Sequence, residues 1–148
     1  MLKLASFSAW LFLAALCPPL FAADNAMSLQ LHQAAAADDA AAIVTLLSGG
    51  AEIDARDASG ATALLVATHG NRVNAARALI EAGADVNAKD RINDSPYLYA
   101  GAHGHLDILG LTLAHGADLA STNRFGGTAL IPAAERGHVE AVRILIAA

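Results

Sequence analysis

Apolar residues along this chain recur at two nested spacings. Leu31, Leu64, Tyr97 and Leu130 stand 33 residues apart, as do Ala34, Ala67, Ala100 and Ala133. In each interval the large residue and the alanine lie three positions apart, which predicts a short helix with a narrow inner face. A second set follows every time: Ile43-Leu46-Leu47, Ala76-Leu79-Ile80, Leu109-Thr112-Leu113 and Val142-Leu145-Ile146. That i, i+3, i+4 spacing is the apolar stripe of a second, longer helix. Between the two helices, positions 38, 71, 104 and 137 hold Asp, Asn, Gly and Gly. These types tolerate the left-handed backbone that ends one helix and reverses the chain. Thr62, Ser95 and Thr128 precede the first helices, where a hydroxyl can cap free N–H groups. Pro96 fits the first helical position, where its missing N–H costs nothing.

The polar remainder repeats as well. Gly50-Ala51-Glu52-Ile53-Asp54-Ala55 returns as Gly83-Ala84-Asp85-Val86-Asn87-Ala88 and as Gly116-Ala117-Asp118-Leu119-Ala120-Ser121. A fixed period of this length means one helical unit stacked on itself, because a single unit cannot bury its own apolar face. The expected fold is an all-α repeat solenoid: four helix-turn-helix units joined by β-turn or hairpin links. The units run from about 24 to 56, 57 to 89, 90 to 122 and 123 to 148, the last incomplete. A fourth copy of the phrase would begin one residue beyond Ala148, so a longer natural protein with at least one more unit is expected. Alanine-rich cores bury little area per residue, so stability must come from many close contacts.

Ser95-Pro96-Tyr97-Leu98-Tyr99-Ala100 with Gly104-His105-Leu106-Asp107-Ile108-Leu109, and Gly137-His138-Val139-Glu140-Ala141-Val142, resemble ankyrin repeats. A β-turn plus two helices in 33 residues is that family's pattern, and the likeness covers Leu29 to Ala148. The family's Thr-Pro-Leu-His tetrapeptide departs here to Thr62-Ala63-Leu64-Leu65, Ser95-Pro96-Tyr97-Leu98 and Thr128-Ala129-Leu130-Ile131. The family histidine is thus aliphatic in three units and survives only at His32, so apolar packing should replace its hydrogen bond. Gly110, mid-helix, should cost roughly 1 kcal/mol relative to alanine. Thr112 puts a hydroxyl on a buried stripe, tolerable if it bonds back one turn. Pro132 removes a donor near the start of its helix. The third and fourth units should therefore be softer than the second.

Residues 1–23 read differently. Lys3 precedes an apolar run from Leu4 to Leu16, then Pro18-Pro19 and the small residues Ala22-Ala23. This is the pattern of a secretory signal cut after Ala22 or Ala23, with 24–28 as a short lead. A signal ahead of such repeats resembles exported bacterial ankyrin-repeat proteins, so a periplasmic or secreted location is expected, with no stable membrane span after cleavage. Cleavage removes Cys17, the single cysteine, and leaves 8 basic against 14 acidic residues. That excludes disulfides and thiolate chemistry, and the acidic balance disfavours nucleic acid.

Catalytic signals are missing from the sequence. No nucleophile elbow, phosphate loop or cysteine–histidine pair occurs; Gly126-Gly127 lacks the lysine of a phosphate loop, and Asp38-Asp39 reads as a solvated cap. No catalytic residue and no cofactor is expected. Six histidines raise a metal-binding or metal-enzyme alternative through His69, His103 and His105, but zinc wants three or four converging ligands. His105 and His138 are better read as tying their turns to a neighbouring backbone carbonyl. The resemblance to ankyrin stacks implies instead a partner protein held along a concave face. The tip residues that would line it are Arg56, Ser59, Lys89, Arg91, Ile92, Asp94, Thr122, Arg124 and Phe125. From the first helices come His69, Ala102, His103, Glu135 and Arg136. Ile92 beside Arg91, repeated as Phe125 beside Arg124, is the kind of pairing found at interface hot spots. Basic tips on an acidic chain imply an acidic or mixed partner. A scaffold is the expected role, with an inhibitor or immunity-type protein that occludes one enzyme as the alternative use of the same face.

Overall fold

The computed structural model describes residues 20–148. Eight α-helices lie among them: α1 Leu20–Ala36, α2 Ala40–Ser48, α3 Ala63–His69, α4 Val73–Glu81, α5 Pro96–His103, α6 Leu106–Ala114, α7 Leu130–Glu135 and α8 Val139–Ala147. The second helices are nine residues each and start at Ala40, Val73, Leu106 and Val139, so the sequence period is the structural period. The expected signal falls outside the described residues as far as residue 19; α1 runs through the polar lead at 24–28. Among the described residues there is no strand, and no helix long and apolar enough to cross a membrane.

Successive helix pairs stack on one shared core. Leu31, Leu64 and Tyr97 fill it with Ala34, Ala67, Ala100 and Ala133, joined by Ile43, Leu79 and Leu109 from the second helices. The reversal between helices uses the residues that the sequence singles out: φ is 60° at Asp38, 51° at Asn71, 69° at Gly104 and 75° at Gly137. Thr62 and Ser95 cap α3 and α5, their hydroxyls accepting from the Leu65 and Leu98 N–H groups, both at 3.3 Å. Leu65 and Leu98, which stand where the family has histidine, are 0% and 2% exposed, so apolar packing does replace that hydrogen bond. Thr112 donates its hydroxyl to the Leu109 carbonyl at 2.9 Å, which satisfies it inside the core.

The fourth unit departs from expectation. Thr128 does not cap its helix: α7 begins at Leu130, and the Ile131 N–H turns back to the Thr128 carbonyl at 3.3 Å. The cause is Pro132. In the second and third units the Thr62 and Ser95 carbonyls accept the first helical bond from Val66 and Tyr99. The equivalent residue here is proline, which has no N–H to give. Ile131 consequently stays 53% exposed where its counterparts are buried.

Two glycines make opposite demands. A Cβ on Gly110 would meet nothing within 4 Å, whereas one on Gly101 would lie 2.8 Å from the Ala129 Cβ, where α5 presses on the start of α7. Gly110→Ala should raise stability by about 0.5–1 kcal/mol through helix propensity alone. Gly101→Ala should lower it by about 1–3 kcal/mol through overpacking. Urea denaturation of the two variants beside the wild type measures both signs.

Candidate functional site

The groove wall is built from the links, and each link from one short side chain. Asp57, Asp90 and Asn123 occupy equivalent positions, and each closes its own turn with Oδ1. Asp57 accepts from the N–H groups of Ser59 and Ala61 at 2.8 and 3.0 Å. Asp90 accepts from Ile92 and Asp94 at 2.9 and 3.0 Å, and Asn123 from Phe125 and Gly127 at 2.9 and 3.1 Å. A backbone bond from residue 57 to 61, 90 to 94 and 123 to 127 completes each hairpin, with left-handed Gly60, Asn93 and Gly126 at the reversal. At Asp57, burial works to raise the pKa, but bonds from the Ser59 hydroxyl and from the Ala61 and Ser59 N–H groups outweigh it and hold the carboxyl below its usual value. The recurrence of Asp, Asp and Asn was a signal in the sequence that pattern reading for helices passes over. Its effect is to throw the middle tip residue outward: Ile92 is 47% exposed and Phe125 81%.

Links are also fastened one to the next. Arg56 donates to the Lys89 carbonyl, and Lys89 donates to the Thr122 carbonyl at 2.8 Å. Asp54 accepts from the Asp85 N–H at 3.1 Å, and Asn87 accepts from the Asp118 N–H at 2.8 Å. Arg91 lays its stem across Gly60 while its own N–H bonds to the Ser59 carbonyl at 3.2 Å. Arg56 and Lys89, expected at the partner face, thus hold the stack together, and Ser59 lies in the contact between links. The acidic pair of the first unit behaves likewise: Asp39 caps α2, and Asp38 accepts from the Ala75 N–H at 2.8 Å, capping α4 in the next unit.

Most of the other expected residues converge. A groove of about 700 Å³ lies between the second and third links and the helices α5 and α7. Ile92, Asp94, Arg124, Phe125, Glu135 and Arg136 line it, with His69, Ala102 and His103 along its helical side. The Arg124 guanidinium carbon sits 4.8 Å from the centre of the Phe125 ring, a cation–π contact that leaves both at the rim. Deeper in, Tyr99 stacks on His103 at 3.8 Å between ring centres and meets His69 at 4.3 Å on a tilt. Tyr99 was not foreseen as a groove residue. Burial raises the pKa of Asp94, with the negative charge of Asp90 adding to it, against the opposing pull of Arg124 and of His69 and His103.

The three imidazoles considered for a metal do not converge. His103 and His105 lie 6.0 Å apart between ring centres, and both nitrogens of His103 are already within hydrogen-bond reach of other groups. Among the described residues, no three His, Cys, Asp or Glu side chains are placed to hold an ion. His105 instead donates through Nδ1 to the Thr68 carbonyl at 3.0 Å, the tie expected for it; burial lowers its pKa although that bond works to raise it.

A family model for ankyrin repeats, in three copies, matches residues 31–123. The chain is an ankyrin-repeat protein. Its structure is similar to a crystal structure of an ankyrin repeat domain from Acinetobacter baumannii AYE, with 70% identity and a TM-score of 0.77 over 79% of this chain. It is also similar to the ankyrin repeat protein EF0377, with 44% identity and a TM-score of 0.75 over 80% of this chain. The chain spans 60% and 61% of the length of those two structures. No curated protein matches it. Ankyrin repeats are typically modules for protein–protein interaction, and the groove described above is of the kind that such a module offers.

The fastening of the ankyrin links carries its own test. Lys89→Met keeps the stem and removes the donor to Thr122, so it should cost about 1 kcal/mol in urea denaturation while leaving the helical circular-dichroism signal unchanged. A neutral result would place Lys89 back among the residues free to meet a partner.

Proposed function

We propose that this ankyrin stack is a non-catalytic binding module, exported to the periplasm, that holds a partner protein in the groove between its second and third links. The observation that carries the reading is the outward placement of Ile92 and Phe125. Two large apolar side chains at equivalent tips, each beside an arginine, form the kind of pairing that becomes a hot spot when a partner covers it. Arg124 and Arg136 line the groove together with Asp94 and Glu135, so a partner segment with an apolar anchor and carboxylate neighbours complements it best. Export rests on the signal-like pattern of residues 1–23.

Combined Arg91→Glu, Arg124→Glu and Phe125→Ala substitutions should abolish capture from a periplasmic extract, the aromatic anchor alone accounting for roughly 2 kcal/mol or more. The helical signal should stay intact, since none of the three side chains is in the core. Capture of the same partner by the triple variant would show that a different face binds.

A further inference from the structure

The sequence weakens the fastening between the third and fourth units. Ala120 stands where Asp54 and Asn87 make their ties, and Thr122 where Arg56 and Lys89 make theirs. Among the described residues, the side-chain hydrogen bonds joining these two units all come from one group, Nη1 of Arg136. It donates to the Ala102 carbonyl at 2.8 Å and meets Nε2 of His103 at 3.1 Å.

The second contact fixes the state of the imidazole. Arginine has donors only, so Nε2 must be the acceptor. Nδ1 lies 3.0 Å from the Tyr99 carbonyl and must therefore carry the proton. His103 is thus neutral, in the Nδ1–H form, with both nitrogens engaged. A second proton would go on Nε2 and set two donors, both cationic, at the present distance. Arg136 would have to leave, and its bond to Ala102 would go with it.

We propose that His103 is a proton-operated latch on the groove: neutral, it accepts from Arg136 and steadies the fourth unit against the third; protonated, it lets Arg136 go and loosens that junction. The surroundings of His103 support this direction. Burial disfavours its charged form most, and Arg136 just after α7 and His138 from the turn before α8 act the same way. The Tyr99 carbonyl and Asp94 from the second link favour the charge. The balance lies below the usual imidazole range. His105, at the start of α6, lies nearby and also has its pKa lowered. His69, from α3, reaches the same cluster through the Tyr99 ring. Arg124 and Glu135 complete the charges on this stretch of groove.

The unfolded chain takes up a proton on this histidine at a higher pH than the folded chain. The latch therefore contributes its full stability above the ordinary imidazole pKa, and loses it as pH falls through the lower folded value. The latch is a property of the chain alone; only its consequence for capture rests on the binding role proposed above.

Nitrogen-15 NMR of the full chain tests it without any partner. The proposal requires the His103 proton on Nδ1 at neutral pH and a titration midpoint below about 6.5. Arg136→Met should move that midpoint upward. Hydrogen exchange of α7 and α8 gives a second reading. Between pH 7 and 5, protection should fall about tenfold for each unit by which the midpoint is depressed. His103→Gln keeps an acceptor for Arg136 but cannot titrate, so its pH slope should be shallower; His105 titrates in both proteins and cancels in the comparison. A proton on Nε2, a midpoint at or above the ordinary value, no response to Arg136→Met, or equal slopes in wild type and His103→Gln would each overturn the latch.

Discussion

Units of this stack are held in register by side chains that reach one unit along to a backbone group. Apolar contacts between alanine-rich helices supply adhesion, but they are non-directional and would tolerate sliding. The directional part comes from Asp38 on the N-terminus of α4, from Asp54 and Asn87 on the following phrase, and from Arg56 and Lys89 on the following link. Each bond satisfies a backbone donor or acceptor at a helix start or in a link that has no strand partner to do so. The groove inherits its shape from these bonds, because they fix the spacing of the hairpins that carry Ile92 and Phe125.

Much of this was legible in the sequence, for reasons that are local. The 33-residue period, the left-handed positions at 38, 71, 104 and 137, and the caps at Thr62 and Ser95 each follow from what one residue type does best. Thr128 shows the limit of that reading. Its hydroxyl is as able to cap as the other two, but Pro132 removes the bond that would start the helix there. The cap depends on a residue four positions away, and only the backbone trace shows the conflict. Arg56 and Lys89 carry a tie between links that the sequence does not show, for a related reason. Charge and exposure look alike for a free cation and for one anchored to a carbonyl in the next unit. Asp57, Asp90 and Asn123 were visible as a repeat, yet their role depends on a turn geometry that helical periodicity does not address.

The site itself was partly legible. Ile92, Asp94, His103, Arg124, Phe125, Glu135 and Arg136 come together on one groove as the repeat register predicts. What register could not show is the order within it. Arg124 lies on Phe125 and stays at the rim, while Arg136 turns inward to the α5 carbonyl and to His103. Two arginines that look equivalent on paper therefore differ in their contacts, one lying on its neighbouring ring and one bonded to the preceding unit. The same region is where the repeated ties lapse at Ala120 and Thr122, so the groove borders the junction with the fewest such ties among the described residues.

The proposed partner sits between the second and third links. A hydrogen-exchange footprint of the captured complex tests this most directly. Protection should rise in residues 90–94 and 123–127 and along α5 and α7, with α2, α4, α6 and α8 unchanged. Protection gathered on those second helices, with both tips still exchanging freely, would contradict it.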